Sequence, residues 1–580
     1  SSFMWQGIDG TEILTNLTQE YATEMTPSKI FEKWGLNKEK ADVPICLFPY
    51  GHGDGGGGAT REHLEYLKRE KNLEGMPKVI SENPVNFYET LENECDINKK
   101  YVGELYYSAH RGSYTSQART KKLNRKSEFA LRDAEMWQAL LEKNLKAETD
   151  ELWKRVLFNQ FHDIIPGTAI TDVYERVEKD LKQVVATAES ISEEAEKSIV
   201  SENDEYITVF NSLSWDRETF IQLPDGYTSA YDTDGKKMMS QEINGKAFVM
   251  VSVPSCGFKS YRMGHEPIQK TQKKEIYLLE NDLIRAAFNE QGNLISVKDK
   301  ESGVEYLEKE SNIFRMYNDA PTFFDAWDID SFYENMETGI CENAGINLLY
   351  NGELESALQI RKKIGNSEIM QRVSLQKDSR HIDFETEIDW QETHKLLKID
   401  FNTNLQTDEL VSEIQYGYIK RPNHKSRRYD ADRFEVCQHK WSALAEGRRA
   451  AAILNDSKYG ISADGGRMSL TALKSSASPA RKADRGVQKF TYSFMPVEGA
   501  FVDSDVIRKA YELNCPVSVC GGYSEEKSML TLSCDNIIAD TVKQAEDGSG
   551  NVVIRLYESK KTRTSCEIKL NFEIEKAYLT

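Results

Sequence analysis

Asn159-Gln-Phe-His-Asp-Ile-Ile-Pro-Gly-Thr168 divides two stretches of helical periodicity. Upstream of it, residues 148–161 place apolar side chains at the spacing of one helical face. Downstream, residues 171–198 do so over a longer run. Pro166 and Gly167 are residues that end helices. Further upstream, residues 121–145 are rich in Ala, Leu, Glu, Lys and Arg, the strong helix formers. Three such helices joined by short breaks predict a small bundle over residues 94–200. From Tyr206 the period changes to two. Ile207-Thr-Val-Phe210, Phe248-Val-Met-Val-Ser-Val253 and Ile276-Tyr-Leu-Leu279 alternate or run apolar between Gly, Asn and Asp. That pattern predicts β-sandwiches, a small one over 201–268 and a large one over 269–580. Residues 1–93 read as α/β: Pro44-Ile-Cys-Leu-Phe48 and Lys78-Val-Ile80 as short buried strands, with a helix over 59–73 between them. One β-α-β piece is too little for a domain, so it reads as the tail of a larger one. The expected class is multidomain α+β.

Composition limits the function. The 580 residues carry a net charge of −20, which argues against a phosphate-backbone partner. No apolar run approaches the roughly 20 residues that cross a bilayer, so no membrane partner is expected. Nine cysteines, an odd number, contain no C-x-x-C; free thiols in a reducing cytoplasm are the simplest reading.

Four segments carry chemistry. Phe48-Pro-Tyr-Gly-His-Gly-Asp-Gly-Gly-Gly-Gly58 formally contains G-x-G-x-x-G, but the acidic residue a dinucleotide site needs comes too late, near Glu82. A nucleotide-dependent oxidoreductase is therefore a distant reading. Asp54 in this glycine-rich setting suits a carboxylate site for sugar or metal, and a plain structural turn stays open. In Asn159–Thr168, a helix is expected to carry His162 and Asp163 about 100° apart, so one could ligate a metal while the other meets substrate. A helix-end histidine beside a solvated aspartate is the alternative. Glu104-Leu-Tyr-Tyr-Ser-Ala-His-Arg-Gly-Ser-Tyr-Thr-Ser-Gln117, with His110 and Arg111, is a hydroxyl-rich loop of the kind sugar sites use, or an ordinary surface loop. Phe323-Phe-Asp-Ala-Trp-Asp-Ile-Asp330 offers Trp327 for stacking and Asp328 as an acceptor, or a core Trp beside solvated acids. His381-Ile-Asp383 has metal-ligand spacing but lies in an alternating stretch and reads as sheet surface.

Taken together, these segments resemble glycoside hydrolase family 38, the α-mannosidases, and within it the cytosolic and bacterial branch. Phe3-Met-Trp-Gln-Gly-Ile-Asp-Gly10, Gly53-Asp-Gly-Gly-Gly-Gly58, His110–Gln117, Asn159–Gly167, Asp325-Ala-Trp-Asp328, Ile419-Lys-Arg-Pro-Asn-His424, Arg433-Phe-Glu-Val-Cys-Gln-His-Lys-Trp441 and Asn455-Asp-Ser-Lys-Tyr-Gly460 carry the likeness. The resemblance implies a β/α catalytic domain ending near residue 93, then the helical and β domains. It implies retaining hydrolysis of terminal α-mannosyl residues of oligosaccharides with a divalent metal, zinc or in this branch cobalt. By motif, His162 would be a metal ligand and Asp163 would bind sugar hydroxyls, with His110, Arg111, Trp327 and Asp328 as further substrate contacts. Asp54 would be the general acid/base, although other branches have consecutive aspartates where this chain has Asp54-Gly55. The family's H-x-D ligand pair and nucleophilic Asp would lie upstream of Ser1, and Ala577-Tyr-Leu-Thr580 stops where members continue. The expectation is therefore a C-terminal two-thirds cut at both ends and inactive alone, with a non-catalytic carbohydrate-binding or scaffold piece as the competing reading. A homo-oligomer is left open.

Overall fold

The computed structural model describes every residue except 8, 19, 20, 23, 141–145, 269–276, 342–343 and 580. The chain forms two compact units, Ser1–Tyr107 and Ser108–Thr580.

In the first unit, Ser2–Gln6 is the centre of a three-stranded sheet. It pairs antiparallel with Glu12–Asn16 and parallel with Lys100–Val102. Helices α1 (Pro27–Leu36), α2 (Arg61–Glu70) and α3 (Pro84–Glu94) each begin at a side-chain cap: Thr26, Thr60 and Asn83. Phe87 and Leu91 of α3 make the core with Val43, and Ile45 and Leu47 pack against them. The strands expected at 44–48 and 78–80 are not formed. Burial against α3 explains the apolar character of 44–48, while Pro44 has no N–H to give a ladder. Ile80 is exposed. The expected helix over 59–73 is trimmed to α2 by the Thr60 cap, whose hydroxyl accepts the His63 N–H at 3.2 Å.

In the second unit, α4 (Ala118–Leu140), α5 (Lys146–Asn159) and α6 (Thr171–Ile199) pack on Leu131, Ala134, Val156, Leu181 and Val184. Residues 141–145 of the expected helix lie outside the described residues. Asp484 caps α4 from a distant loop, accepting the N–H groups of Gln117 and Ala118 at 3.0 and 2.8 Å. Near the end of α6, Glu196 is buried, and the Ser518 hydroxyl donates to it. Burial raises its pKa to about 7 against the pull of that hydrogen bond. The folded state thus holds a proton that the unfolded chain releases, so stability falls as pH rises from 4.5 to about 7. Glu196→Gln should stabilise above pH 7 by roughly 1–3 kcal/mol and give no gain below pH 4.5; thermal midpoints at pH 4 and pH 8 measure this.

The remainder is β. Tyr206–Asn211 and Gly257–Gly264 belong to a five-stranded sheet, and Arg217–Gln222, Lys246–Val253 and Ser240–Ile243 form a three-stranded one. The two share the core of Val209, Ile221, Val249, Val251 and Tyr261. Of the expected 276–279 stretch, Leu278–Glu280 is a strand, and Ile276 lies outside the described residues. A nine-stranded antiparallel sheet, which includes Ile382–Trp390 and Gly486–Glu498, faces a six-stranded one with Lys395–Asn402 and Arg467–Lys474. Phe401 of the smaller sheet stacks on Phe494 of the larger, ring centres 5.1 Å apart. Asp383 lies in this larger sheet with His381 Nε2 3.6 Å away, and Ser493 donates to it.

Candidate functional site

The 108–117 loop begins with His110 at φ 60°, which turns the chain into one 3-10 turn, Arg111–Tyr114. Arg111 is buried. Its Nε and one terminal nitrogen donate to the Asp432 carbonyl at 3.2 and 3.0 Å, and its guanidinium lies 4.4 Å from the Phe434 ring centre. The Arg111 N–H donates to Asp328 Oδ1 at 3.2 Å, and the two side chains form an ion pair at 3.7 Å. Gly112 allows a close approach: a Cβ there would stand 2.5 Å from Lys474 Cε and 2.9 Å from the Asp328 carbonyl. The Ser113 N–H donates to the Trp327 carbonyl at 3.1 Å, and the Ser116 hydroxyl to that of Ala326 at 2.6 Å.

The 323–330 segment is therefore laid directly on the 108–117 loop. Phe324, at φ 58°, turns the chain so that Trp327 and Asp328 donate back to its carbonyl. His110 meets Phe324 edge-on at 6.3 Å, and Phe324 meets Trp327 at 6.2 Å. Phe323 and Phe324 are exposed and Trp327 is half-buried. Asp325 Oδ2 accepts from His394 Nε2 at 3.0 Å and from the N–H groups of Ala477 and Ser478 at 2.8 and 3.0 Å. This clamps the aromatic turn to the end of the six-stranded sheet. Asp325 stands in the Asp325–Asp328 motif without a role of its own in the sequence reading; His394 carries no local signal and meets the site only through the fold.

The 159–168 segment differs from expectation. The helix ends at Asn159, and His162 and Asp163 stand in successive turns rather than on a helix. Asn159 Nδ2 donates to the Arg155 carbonyl at 2.8 Å and to Asp180 at 2.7 Å, side-chain bonding that competes with helix continuation. The Asp163 carbonyl accepts the Thr168 N–H at 3.2 Å and the Tyr174 hydroxyl at 3.1 Å, and the Thr168 hydroxyl donates to Asp163 Oδ1 at 3.2 Å. His162 is exposed, its ring 4.1 Å from that of Phe161. Gly167, at φ 92°, packs against the Ser116 backbone. Lys121 donates to the carbonyls of both Ser116 and Ile165, the latter at 2.9 Å. Its complete burial lowers the ammonium pKa to about 7. Three of the four segments singled out from sequence thus share one region of the second unit.

Asp54 belongs to the first unit. It sits exposed on a single 3-10 turn, Gly53–Gly55, and the Tyr21 hydroxyl hydrogen-bonds to it, which raises the Tyr21 pKa. Among the described residues, those before this loop form no strand beyond a single bridge at Tyr50, which does not fit a dinucleotide fingerprint. Among the described residues, no group of three or more His, Cys, Asp or Glu could hold a metal ion. His162 is a suitable donor for zinc, but the number of ligands does not make a centre. No helix among the described residues is long and apolar enough to cross a membrane.

Comparison with known proteins gives the class. Residues 1–106 match the glycosyl hydrolases family 38 N-terminal domain and 108–199 the alpha mannosidase middle domain. Residues 279–482 match the family 38 C-terminal domain, and 536–580 its C-terminal beta sandwich domain. The chain belongs to glycoside hydrolase family 38. It is similar to alpha-mannosidase G of Dictyostelium discoideum, 31% identical over 96% of this chain and 57% of that protein. Human alpha-mannosidase 2C1 is 30% identical over 100% of the chain and 57% of its own length. The chain thus spans a little over half the length of these relatives. The crystal structure of an alpha-mannosidase from Enterococcus faecalis shares the fold, with a TM-score of 0.82 at 15% identity, covering 98% of this chain and 78% of that one.

Proposed function

We propose that this chain is part of an α-mannosidase that removes terminal α-mannosyl residues from oligosaccharides with retention of configuration. The observation that carries the proposal is the roughly 30% identity, along nearly the whole chain, to proteins named as alpha-mannosidases. In this reading the 108–117, 159–168 and 323–330 segments of the second unit line a sugar site. Asp54 is the general acid/base: it protonates the leaving oxygen and then accepts a proton from water. Tyr21 is the group that holds it in place. Asp163 accepts from sugar hydroxyls, while Thr168 fixes one of its oxygens. His110 and Trp327 present ring surface to the sugar. Arg111 and Asp328 act on substrate chiefly by holding that loop, since their ion pair and the Asp432 carbonyl occupy the guanidinium. His162 is one ligand of a divalent metal, zinc or cobalt. When bound, such a metal would hold adjacent sugar hydroxyls. Nine cysteines outside disulfides suit a cytoplasmic location.

The test is hydrolysis of an aryl α-mannoside by the longer protein and by these 580 residues alone. The longer protein should turn over with net retention at the anomeric carbon, and the fragment should not, with zinc or cobalt added. In the longer protein, Asp54→Asn should lower kcat at least about 100-fold. His162→Ala should lower metal content and activity together. Equal turnover by the fragment would place the nucleophile within these residues, and unchanged metal affinity in His162→Ala would remove that ligand.

A further inference from the structure

Leu530–Leu532 and Ile568–Leu570 pair antiparallel, Leu530 opposite Leu570 and Leu532 opposite Ile568. The ladder runs on past its last strand residues. The Ser533 N–H donates to the Glu567 carbonyl at 3.0 Å, and the Glu567 N–H to the Ser533 hydroxyl at 2.8 Å. At the other end, the Asn571 N–H donates to the Met529 carbonyl at 3.1 Å. Ser533 and Glu567 are therefore opposed, joined by one backbone bond and one bond to the Ser533 side chain. Continuing that register just beyond the strands sets Cys534 opposite Cys566, at a position of the non-hydrogen-bonded kind. In antiparallel sheets such positions bring Cα atoms to about 4.5 Å, inside the range a disulfide spans. Both thiols are half-exposed, and they lie close enough to shift one another's ionisation in opposite directions. The segment between them contains the hairpin Ile537–Gln544 and Val552–Glu558, whose Ala539 and Val542 pack on Met136 and Trp137 of α4.

We propose that Cys534 and Cys566 are a redox-responsive pair that exchanges with small disulfides such as oxidised glutathione, closing reversibly to fasten the C-terminal hairpin onto α4. Cys566 attacks first. Burial opposes its ionisation, but hydrogen bonds from Cys534 and Ser533 outweigh that and draw its thiol below the usual range. Burial and the neighbouring Cys566 push Cys534 up to about 11. The Cys566 thiolate displaces one glutathione thiolate, which takes up a proton, and a mixed disulfide remains. Cys534 then loses its proton to solvent and attacks Cys566 Sγ, releasing the second glutathione. Two cysteine thiols are oxidised and one glutathione disulfide is reduced to two thiols.

The experiment is exposure of the full chain to graded mixtures of oxidised and reduced glutathione, followed by alkylation of remaining thiols and peptide mapping. The wild type should yield a Cys534–Cys566 cross-linked peptide with no glutathione retained at either residue. Cys534→Ser and Cys566→Ser should each stop at a mixed disulfide on the remaining thiol. Oxidation should raise the thermal midpoint of the wild type by about 3–8 °C and leave both variants unmoved. Stable glutathione on either residue of the wild type would overturn the proposal. So would pairing of either with another cysteine, or free thiols at both positions while half-exposed Cys437 and Cys520 react. Should a serine variant fail to fold, the wild-type peptide map decides alone.

Discussion

Lys474→Met is expected to destabilise the second unit by about 3–5 kcal/mol at pH 8, the usual cost of leaving one member of a buried ion pair behind. Lys474 ends the strand Arg467–Lys474, and its ammonium pairs with Asp319; their side chains are 0% and 1% exposed. Burial already holds the Asp319 carboxyl above its ordinary range despite the cation beside it. Without Lys474 that carboxyl has Asp325 as a like-charged neighbour and only His394 to oppose it, so its pKa must rise further. The folded variant then binds a proton that the unfolded chain releases at the ordinary carboxylate pKa. Its stability therefore falls as pH rises between those two values, and the cost is smaller at pH 5 than at pH 8. The double variant Lys474→Met with Asp319→Leu should regain most of the loss, because it buries no unpaired charge. Denaturant unfolding of the three proteins at both pH values is the measurement. A single-variant cost below about 1 kcal/mol, or one independent of pH, would show that water reaches the pair. The functional consequence follows from position: the Lys474 side chain lies under Gly112, and so supports the loop that carries His110 and Arg111.

How much of this was legible beforehand depends on whether the signal was local. The α6 periodicity is local, since Val177, Leu181, Val184, Ala188 and Ile191 recur on one face and are buried. The alternation of Ile382–Trp390 is local too, and the structure buries every second residue. Pro44–Phe48 misled because an apolar run reports burial, not pairing. Ile45 and Leu47 are half-buried against a helix without joining a ladder. Lys100–Val102 went unread because three exposed residues are too few to show a period, yet they pair with Ser2–Gln6. The site follows the same rule. His110, His162, Asp163, Trp327 and Asp328 stood out by motif. What holds them is non-local: the Asp484 cap on α4, the His394 contact with Asp325, and the buried Lys398–Glu435 pair at 2.6 Å in the sheet below. Nothing in a lysine's sequence neighbourhood says that it will be buried; only its partner, far along the chain, makes burial tolerable. The helix expected through Asp163 stops short because the N–H groups of Gln160 and Phe161 turn to the carbonyls three residues back, Leu157 and Phe158, at 3.1 and 3.2 Å.

Gly167→Ala should be nearly as damaging, at about 3–5 kcal/mol, and for a reason that leaves no side chain free to adjust. Gly167 holds φ at 92°, where an L-residue is strained. A Cβ there would fall 2.4 Å from the Ser116 carbonyl oxygen and 2.6 Å from its carbon. Both are backbone atoms. Ser116 is itself fixed, its hydroxyl on the Ala326 carbonyl and its own carbonyl on Lys121. The clash can be relieved only if the 159–168 turn withdraws from the 108–117 loop. Two terms therefore add, the positive-φ strain and the overpacking, each worth about 1–3 kcal/mol. Ser116→Gly discriminates the cause. It removes the Ser116 Cβ, also 2.6 Å from the added methyl, but leaves the carbonyl in place. If the backbone contact dominates, Gly167→Ala should cost nearly as much in the Ser116→Gly background as in the wild type. Recovery of more than half the loss there would assign the effect to the side chain instead. The withdrawal has its own signature: amide exchange at Ile164, Ile165 and Thr168 should quicken, since their donors lie within the turn, while α6 beyond Tyr174 should stay protected. On the proposed mannosidase function, the same substitution should lower mannoside turnover further than an equally destabilising change inside the α6 core, because it moves His162 and Asp163 as a unit without touching either.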